Sequence, residues 1–153
     1  MALLRQCAQD TAEGIIRATQ REISERRDEE LAHVGLGEEQ ARERYGDIRI
    51  LRWPYSENDR AQTDRSVSGT VKVITRPNGR IVGASIVGRN ASELIALWAL
   101  AISQKHTVKS LTGTVLPYPT LSETAKRVAV TYYTPKLDSP WVKRLIRLRR
   151  LFG

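Results

Sequence analysis

The fold is decided by Thr70-Val-Lys-Val-Ile-Thr-Arg76, Pro77-Asn78-Gly79 and Arg80-Ile-Val-Gly-Ala-Ser-Ile-Val87. Two β-branched runs flank a turn segment. Asn-Gly accepts the positive φ angles of a tight hairpin, so the runs pair as antiparallel strands. Apolar residues occur at both parities, which predicts that this hairpin is covered on more than one side.

Working outward, Asn90-Ala-Ser-Glu93 has the spacing of an Asn-type capping box and opens a helix to about Gln104. Leu94, Ile95, Leu97, Trp98, Leu100, Ala101 and Ile102 wrap most of its circumference, as expected of a helix in a core or a subunit interface. Leu94, Ile95, Trp98 and Ile102 are the candidate interface residues. Thr120-Leu-Ser-Glu123 has the same capping spacing and starts a helix through about Tyr132. Before it, Leu116-Pro-Tyr-Pro119 is held extended by its prolines.

Upstream, Ala32–Leu36 is a short apolar strand and Glu38–Tyr45 a helix between Gly37 and Gly46. The acids in its first turn suit the helix dipole. Ile48–Tyr55 alternates as a strand that Pro54 ends or places at an edge. Strand and helix do not alternate throughout, so a doubly wound parallel sheet is not expected. The pattern predicts an α+β fold, an antiparallel sheet with helices packed on one face.

The chain has 153 residues, enough for one core, and its 41% apolar content, slightly under the roughly 45–50% of globular domains, is expected of a folded domain with an under-packed segment at one end. Cys7 is its single cysteine, so this sequence holds neither a disulfide nor a dithiol redox centre. His33 and His106 have no ligand-spaced partners, and no metal site is expected. No apolar run reaches the roughly 18–20 residues of a membrane span, and the N-terminus does not read as a signal peptide. The expected location is cytoplasmic.

The net charge of +8 is uneven: from Lys126 onward eight Lys/Arg face one acid, Asp138. A basic tail on a near-neutral body argues against nucleic acid as partner. Residues 1–27 read as an N-terminal helical extension and 136–153 as a basic amphipathic helix. In the latter, Trp141, Leu145, Leu148 and Phe152 recur among Lys143, Arg144, Arg147, Arg149 and Arg150. Such a helix either packs on its own dimer, makes weak contact with an anionic membrane surface, or docks on a partner.

Four segments carry a family resemblance. They are Leu31-Ala-His-Val-Gly-Leu-Gly-Glu-Glu-Gln-Ala41, Arg52-Trp-Pro-Tyr-Ser-Glu-Asn-Asp-Arg-Ala61, Gly79–Gly88 with Ala91-Ser-Glu-Leu-Ile95, and Tyr118-Pro-Thr-Leu-Ser-Glu123. In this order they resemble the C-terminal dimerisation domain of the flavin-dependent pyridine nucleotide–disulfide oxidoreductases, over residues 28–135. Asp28-Glu-Glu30 stands where the family usually has Asp-Pro-Glu, and residues 1–27 do not match upstream. A fragment, or a shifted gene start, is the expectation.

The resemblance implies a homodimer and, for the family, FAD and NAD(P). No Gly-x-Gly-x-x-Gly turn occurs in this sequence, so neither cofactor is expected to be bound by the chain alone, and the chain alone is expected to be inactive. A companion chain carrying the flavin and nucleotide domains is the alternative, which would make this a piece of a mercuric reductase-like or lipoamide dehydrogenase-like enzyme.

Lipoamide dehydrogenase-like and glutathione reductase-like members carry His-Pro-Thr with a Glu downstream, where the His is the acid/base. The resemblance puts Tyr118 at that His and Glu123 at that Glu, the candidate catalytic pair. Pro117, Tyr118 and Pro119 would face a partner's flavin, and the Tyr118–Pro119 bond is expected to be cis. Tyrosine, with an ordinary pKa near 10, is a poor base at neutral pH. Tyr118 either donates a hydrogen bond at a flavin edge or is an aromatic clamp between prolines. A cap alone would also account for Thr120 and Glu123.

Overall fold

A computed structural model of the chain describes residues 30–134. Their elements are β1 (Glu30–Gly35), α1 (Glu38–Tyr45), β2 (Arg49–Pro54), a 3-10 turn (Tyr55–Glu57), α2 (Asp59–Thr63), β3 (Gly69–Thr75), β4 (Ile81–Gly88), α3 (Ala91–Ser103), α4 (Val108–Thr112) and α5 (Glu123–Thr131). The strands form one antiparallel sheet in the order β1-β4-β3-β2. This is the expected α+β architecture. The short helices α2 and α4 were not legible, because five residues show no period. The helical reading of residues 1–27 and that of 136–153 fall outside the described residues.

Alternation along the strands sends Ala32, Val34, Leu51, Val71, Val73, Ala84 and Ile86 to one face, where they meet α3 and α5. Helix α3 lies over β1 and β4, and α5 over β2 and β3. Ile74 pairs with Gly83 but Thr75 with Ile81, so Val82 is the extra residue of a bulge. The bulge explains the mixed parity of this strand. Ile81 joins the main core, while Val82 and Ile74 join a second cluster with Ala41 of α1 and Ile48 on the opposite side. Among the described residues, cover on the second face is thus confined to one end.

The hairpin tip differs from a two-residue turn. Gly79 N donates to Arg76 O at 2.9 Å and Arg76 N to Arg80 O at 2.9 Å. Only Gly79 takes a positive φ, 83°. This is a type I turn with Pro77 at its second position, closed by a left-handed glycine. Asn78 instead accepts from Arg80 N through its side chain at 3.1 Å. Below it, Tyr132 Oη donates to Pro77 O at 2.6 Å and Val108 N to Gly79 O at 2.9 Å, which ties the tip to α4 and the end of α5.

The Asn90 capping box does not form. Asn90 is left-handed, φ 58°, and makes no side-chain cap bond. Its role is taken from across the sheet. The Glu30 carboxylate accepts from Ser92 N at 2.8 Å and also from the Ser92 hydroxyl, placing a negative charge at the positive end of α3.

A turn held by two side chains: the candidate functional site

The segment between α4 and α5 carries Tyr118, and Glu123, the other candidate catalytic residue, opens α5. Pro117, Tyr118 and Pro119 are exposed, and Tyr118 keeps 68% of its surface in solvent. The Tyr118–Pro119 bond is cis, as expected. Either side of the turn is anchored by apolar residues. Leu116 packs on the main core and Leu121 is buried in it. Helix α5 follows with Thr124, Ala125, Val128 and Ala129 buried.

What fixes the turn laterally is the N-terminus of α2, a site not singled out from the sequence. Asn58 is the N-cap: its Oδ1 accepts from Ala61 N at 3.0 Å. Its amide also donates from Nδ2 to Thr120 O at 3.1 Å, and only 3% of the residue is exposed. The next residue, Asp59, accepts the Tyr118 hydroxyl proton through Oδ2 at 3.0 Å. Asn-Asp ahead of a helix was the available signal. The contact spans 59 or more positions of sequence, which no local pattern encodes.

The second capping box also fails. Ser122, not Thr120, is the N-cap of α5, and it makes no side-chain cap bond. The Thr120 hydroxyl donates to Pro117 O at 2.7 Å, closing the turn on itself. Glu123 does not reach back to the cap. It is half-buried and lies 4.0 Å from Arg127, one helical turn on.

The electrostatics follow from the geometry. The Tyr118 pKa is raised, chiefly by the hydrogen bond to Asp59 and then by that carboxylate's charge, with Glu123 adding to it. The neutral phenol is therefore the species at physiological pH, and its proton points at Asp59. The phenol proton is engaged with the Asp59 carboxylate.

The candidate interface helix divides in a way the sequence did not reveal. Ile95 and Trp98 are buried in this subunit's own core, at 4% and 1% exposure, so they are not surface groups. Ile102 is half-buried beside β1, its Cδ1 lying 3.0 Å from where a Cβ on Gly35 would stand. The correction has a simple cause: α3 is apolar on more than half its circumference, and the sheet takes the Ile95–Trp98 side. Leu94 and Leu97 remain half-buried, and Leu100 is 57% exposed. At i, i+3, i+6 these three form one flank of the helix. Leu94 and Leu97 line an open groove of about 150 Å³ with Ser122 and Ala125 of the α5 side and Glu93 at its rim.

His33 is held between Ser85 Oγ at 2.9 Å and Gly35 O at 3.1 Å, and His106 lies 3.4 Å from Ser110 Oγ. Among the described residues no group of three or more His, Cys, Asp or Glu is placed to hold a metal, and no helix is long and apolar enough to cross a membrane. Trp141, Lys143, Arg144, Arg147, Arg149 and Arg150 lie outside the described residues.

A family model described as "Pyridine nucleotide-disulphide oxidoreductase, dimerisation domain" matches residues 27–129. The chain belongs to this family. Its described residues are a disulfide oxidoreductase dimerisation domain of lipoamide dehydrogenase-like type. Dihydrolipoyl dehydrogenase of Buchnera aphidicola subsp. Schizaphis graminum is 39% identical over 97 residues, 63% of this chain and 20% of the relative. That of Geobacillus stearothermophilus is 37% identical over 103 residues, 67% of this chain and 22% of the relative. Among solved structures, LpdA from Mycobacterium tuberculosis matches with TM-score 0.62 and 31% identity, covering 67% of this chain and 22% of that one. The HOCl-induced flavoprotein disulfide reductase RclA from Escherichia coli matches with TM-score 0.62 and 27% identity, covering 65% and 23%. The match to these curated relatives thus spans about a fifth of their length.

Proposed function

We propose that this dimerisation domain pairs with a second copy of itself and presents the Pro117–Pro119 turn to a surface outside its own fold. The observation that carries this reading is the turn itself: a tyrosine 68% exposed whose hydroxyl is bonded to Asp59, in a turn that Asn58 holds at Thr120 O. A side chain held in place while left in solvent is organised for contact rather than for packing.

The pairing surface is the α3 flank of Leu94, Leu97 and Leu100. A two-fold contact needs a self-complementary apolar patch, and this flank offers leucines at helical spacing beside an open groove. The cofactors implied for the family, FAD and NAD(P), would be held by other domains. The α3–α5 groove is smaller than the roughly 300 Å³ at which pockets begin to enclose a ligand. The turn fits contact with a flavin only from outside, through Tyr118 and its flanking prolines. Because its neutral phenol is favoured at physiological pH, the lipoamide-type acid/base role is not assigned to Tyr118 or to Glu123.

Sedimentation equilibrium of the full chain tests the pairing. A dimer at micromolar concentration is expected, with Leu100→Asp shifting it to monomer while circular dichroism stays unchanged. Leu100 is exposed, so the fold should tolerate the change. A wild-type chain that stays monomeric at tens of micromolar sinks the reading.

A further inference from the structure

Every side-chain hydroxyl of the turn has its proton turned inward. Thr120 Oγ1 donates to Pro117 O at 2.7 Å, and Tyr118 Oη donates to Asp59 Oδ2 at 3.0 Å. Pro117 and Pro119 have no N–H at all. A phenol has one proton and two lone pairs. With the proton committed, Tyr118 offers its lone pairs to whatever approaches. Of the charged groups around it, Asp59 and Glu123 favour the neutral phenol and outweigh Arg127, which opposes them as the smallest contribution.

Asp59 is exposed, but its backbone is set by a buried neighbour. It is the first residue of α2, and Asn58 immediately before it is buried, capping α2 and holding Thr120 O. The helix start and the turn are therefore joined by two side-chain hydrogen bonds. Tyr118 enters it from the turn and Asp59 from the helix.

We infer that Asp59 is a positioning residue that, on the scaffold set by Asn58, fixes Tyr118 with its proton inward, so that the turn presents a hydrogen-bond acceptor to the opposing surface. The inference rests on the proposed function for there being such a surface. The class of group recognised is a donor: an N–H or O–H, neutral or cationic. A purely accepting edge is refused, since it would meet lone pairs with lone pairs. Removing the Asp59 carboxylate frees the phenol proton and reverses that preference.

The test is a pH titration of the full chain carrying carbon-13 at the tyrosine ζ carbon, with Tyr118→Phe identifying the Tyr118 signal. Asp59→Ala is expected to lower the Tyr118 midpoint toward that of an ordinary exposed tyrosine. Asp59→Asn is expected to fall between, since the charge goes while an accepting oxygen stays. A merely structural role for Asp59 would leave the midpoint alone, so identical midpoints in wild type and Asp59→Ala overturn the inference. Sedimentation of the same samples separates the two readings. A monomer whose Tyr118 responds to Asp59 defeats the pairing and keeps the positioning role; a dimer whose Tyr118 does not respond does the reverse.

Discussion

Asn58 makes two bonds that can be removed separately, and doing so measures how the turn is held. In Asn58→Ala both go. Loss of an N-cap costs about 1 kcal/mol. Loss of the Nδ2 donor leaves Thr120 O, among the described residues, with the 3.4 Å contact from Glu123 N. A buried acceptor so weakened costs about 1–2 kcal/mol, at the lower end because Thr120 is only half-buried. The sum is about 2–3 kcal/mol. In Asn58→Asp the cap survives, because Asp caps as well as Asn. The donor does not survive: a carboxylate oxygen now faces Thr120 O, inside a site where the native residue is 3% exposed. At neutral pH this variant should lose at least about 2 kcal/mol although its cap is intact. Urea unfolding followed by circular dichroism reads both values as a lowered midpoint with an unchanged m-value. If Asn58→Asp lies within about 0.5 kcal/mol of wild type, the bond to Thr120 holds nothing and the account of the turn fails.

Two further outcomes follow from the packing. A Cβ at Gly83 would run into the Leu36 carbonyl oxygen, with Leu36 C at 3.1 Å and N at 3.2 Å, all backbone atoms that cannot rotate away. Gly83→Ala should therefore cost about 3 kcal/mol, the upper part of the usual overpacking range, and a urea midpoint equal to wild type would contradict this close approach. The Tyr55 pKa is pushed up from 10.0 to about 12, first by burial and then by the charge of Glu30. A folded-state value above the unfolded one gives stability that is full below pH 10 and is lost as pH rises through about 12. Tyr55→Phe should flatten that alkaline loss while costing about 1 kcal/mol at neutral pH for the bond from Tyr55 Oη to Arg89 O, and an unchanged alkaline slope in urea titrations would refute the assignment.

Local chemistry made much of the fold readable. Pro77-Asn78-Gly79 marked the hairpin, and the helix over Glu38–Tyr45 was bounded by glycines on both sides. The elements that escaped notice, α2 and α4, are each one turn and a little more, too short for a period to show. Both capping boxes were misjudged for a common reason. A capping sequence states which atoms are able to bond, not which backbone angle the incoming strand imposes. At Asn90 the left-handed backbone turned the side chain away, and at Thr120 the proline-bound turn claimed the hydroxyl first.

The sequence by itself determined the four strands, the longer helices, the antiparallel class of the sheet and the family, because turn chemistry, strand alternation and the order of motifs are written along the chain. Only the tertiary structure decided which side of α3 is core and which flank is free, since an almost wholly apolar helix does not say which way it faces. It alone decided where the Tyr118 proton goes, because Asp59 lies 59 residues away along the chain and yet within one hydrogen bond in space. Long-range polar contacts of this kind depend on the relative placement of whole elements, and no run of neighbouring residues specifies that.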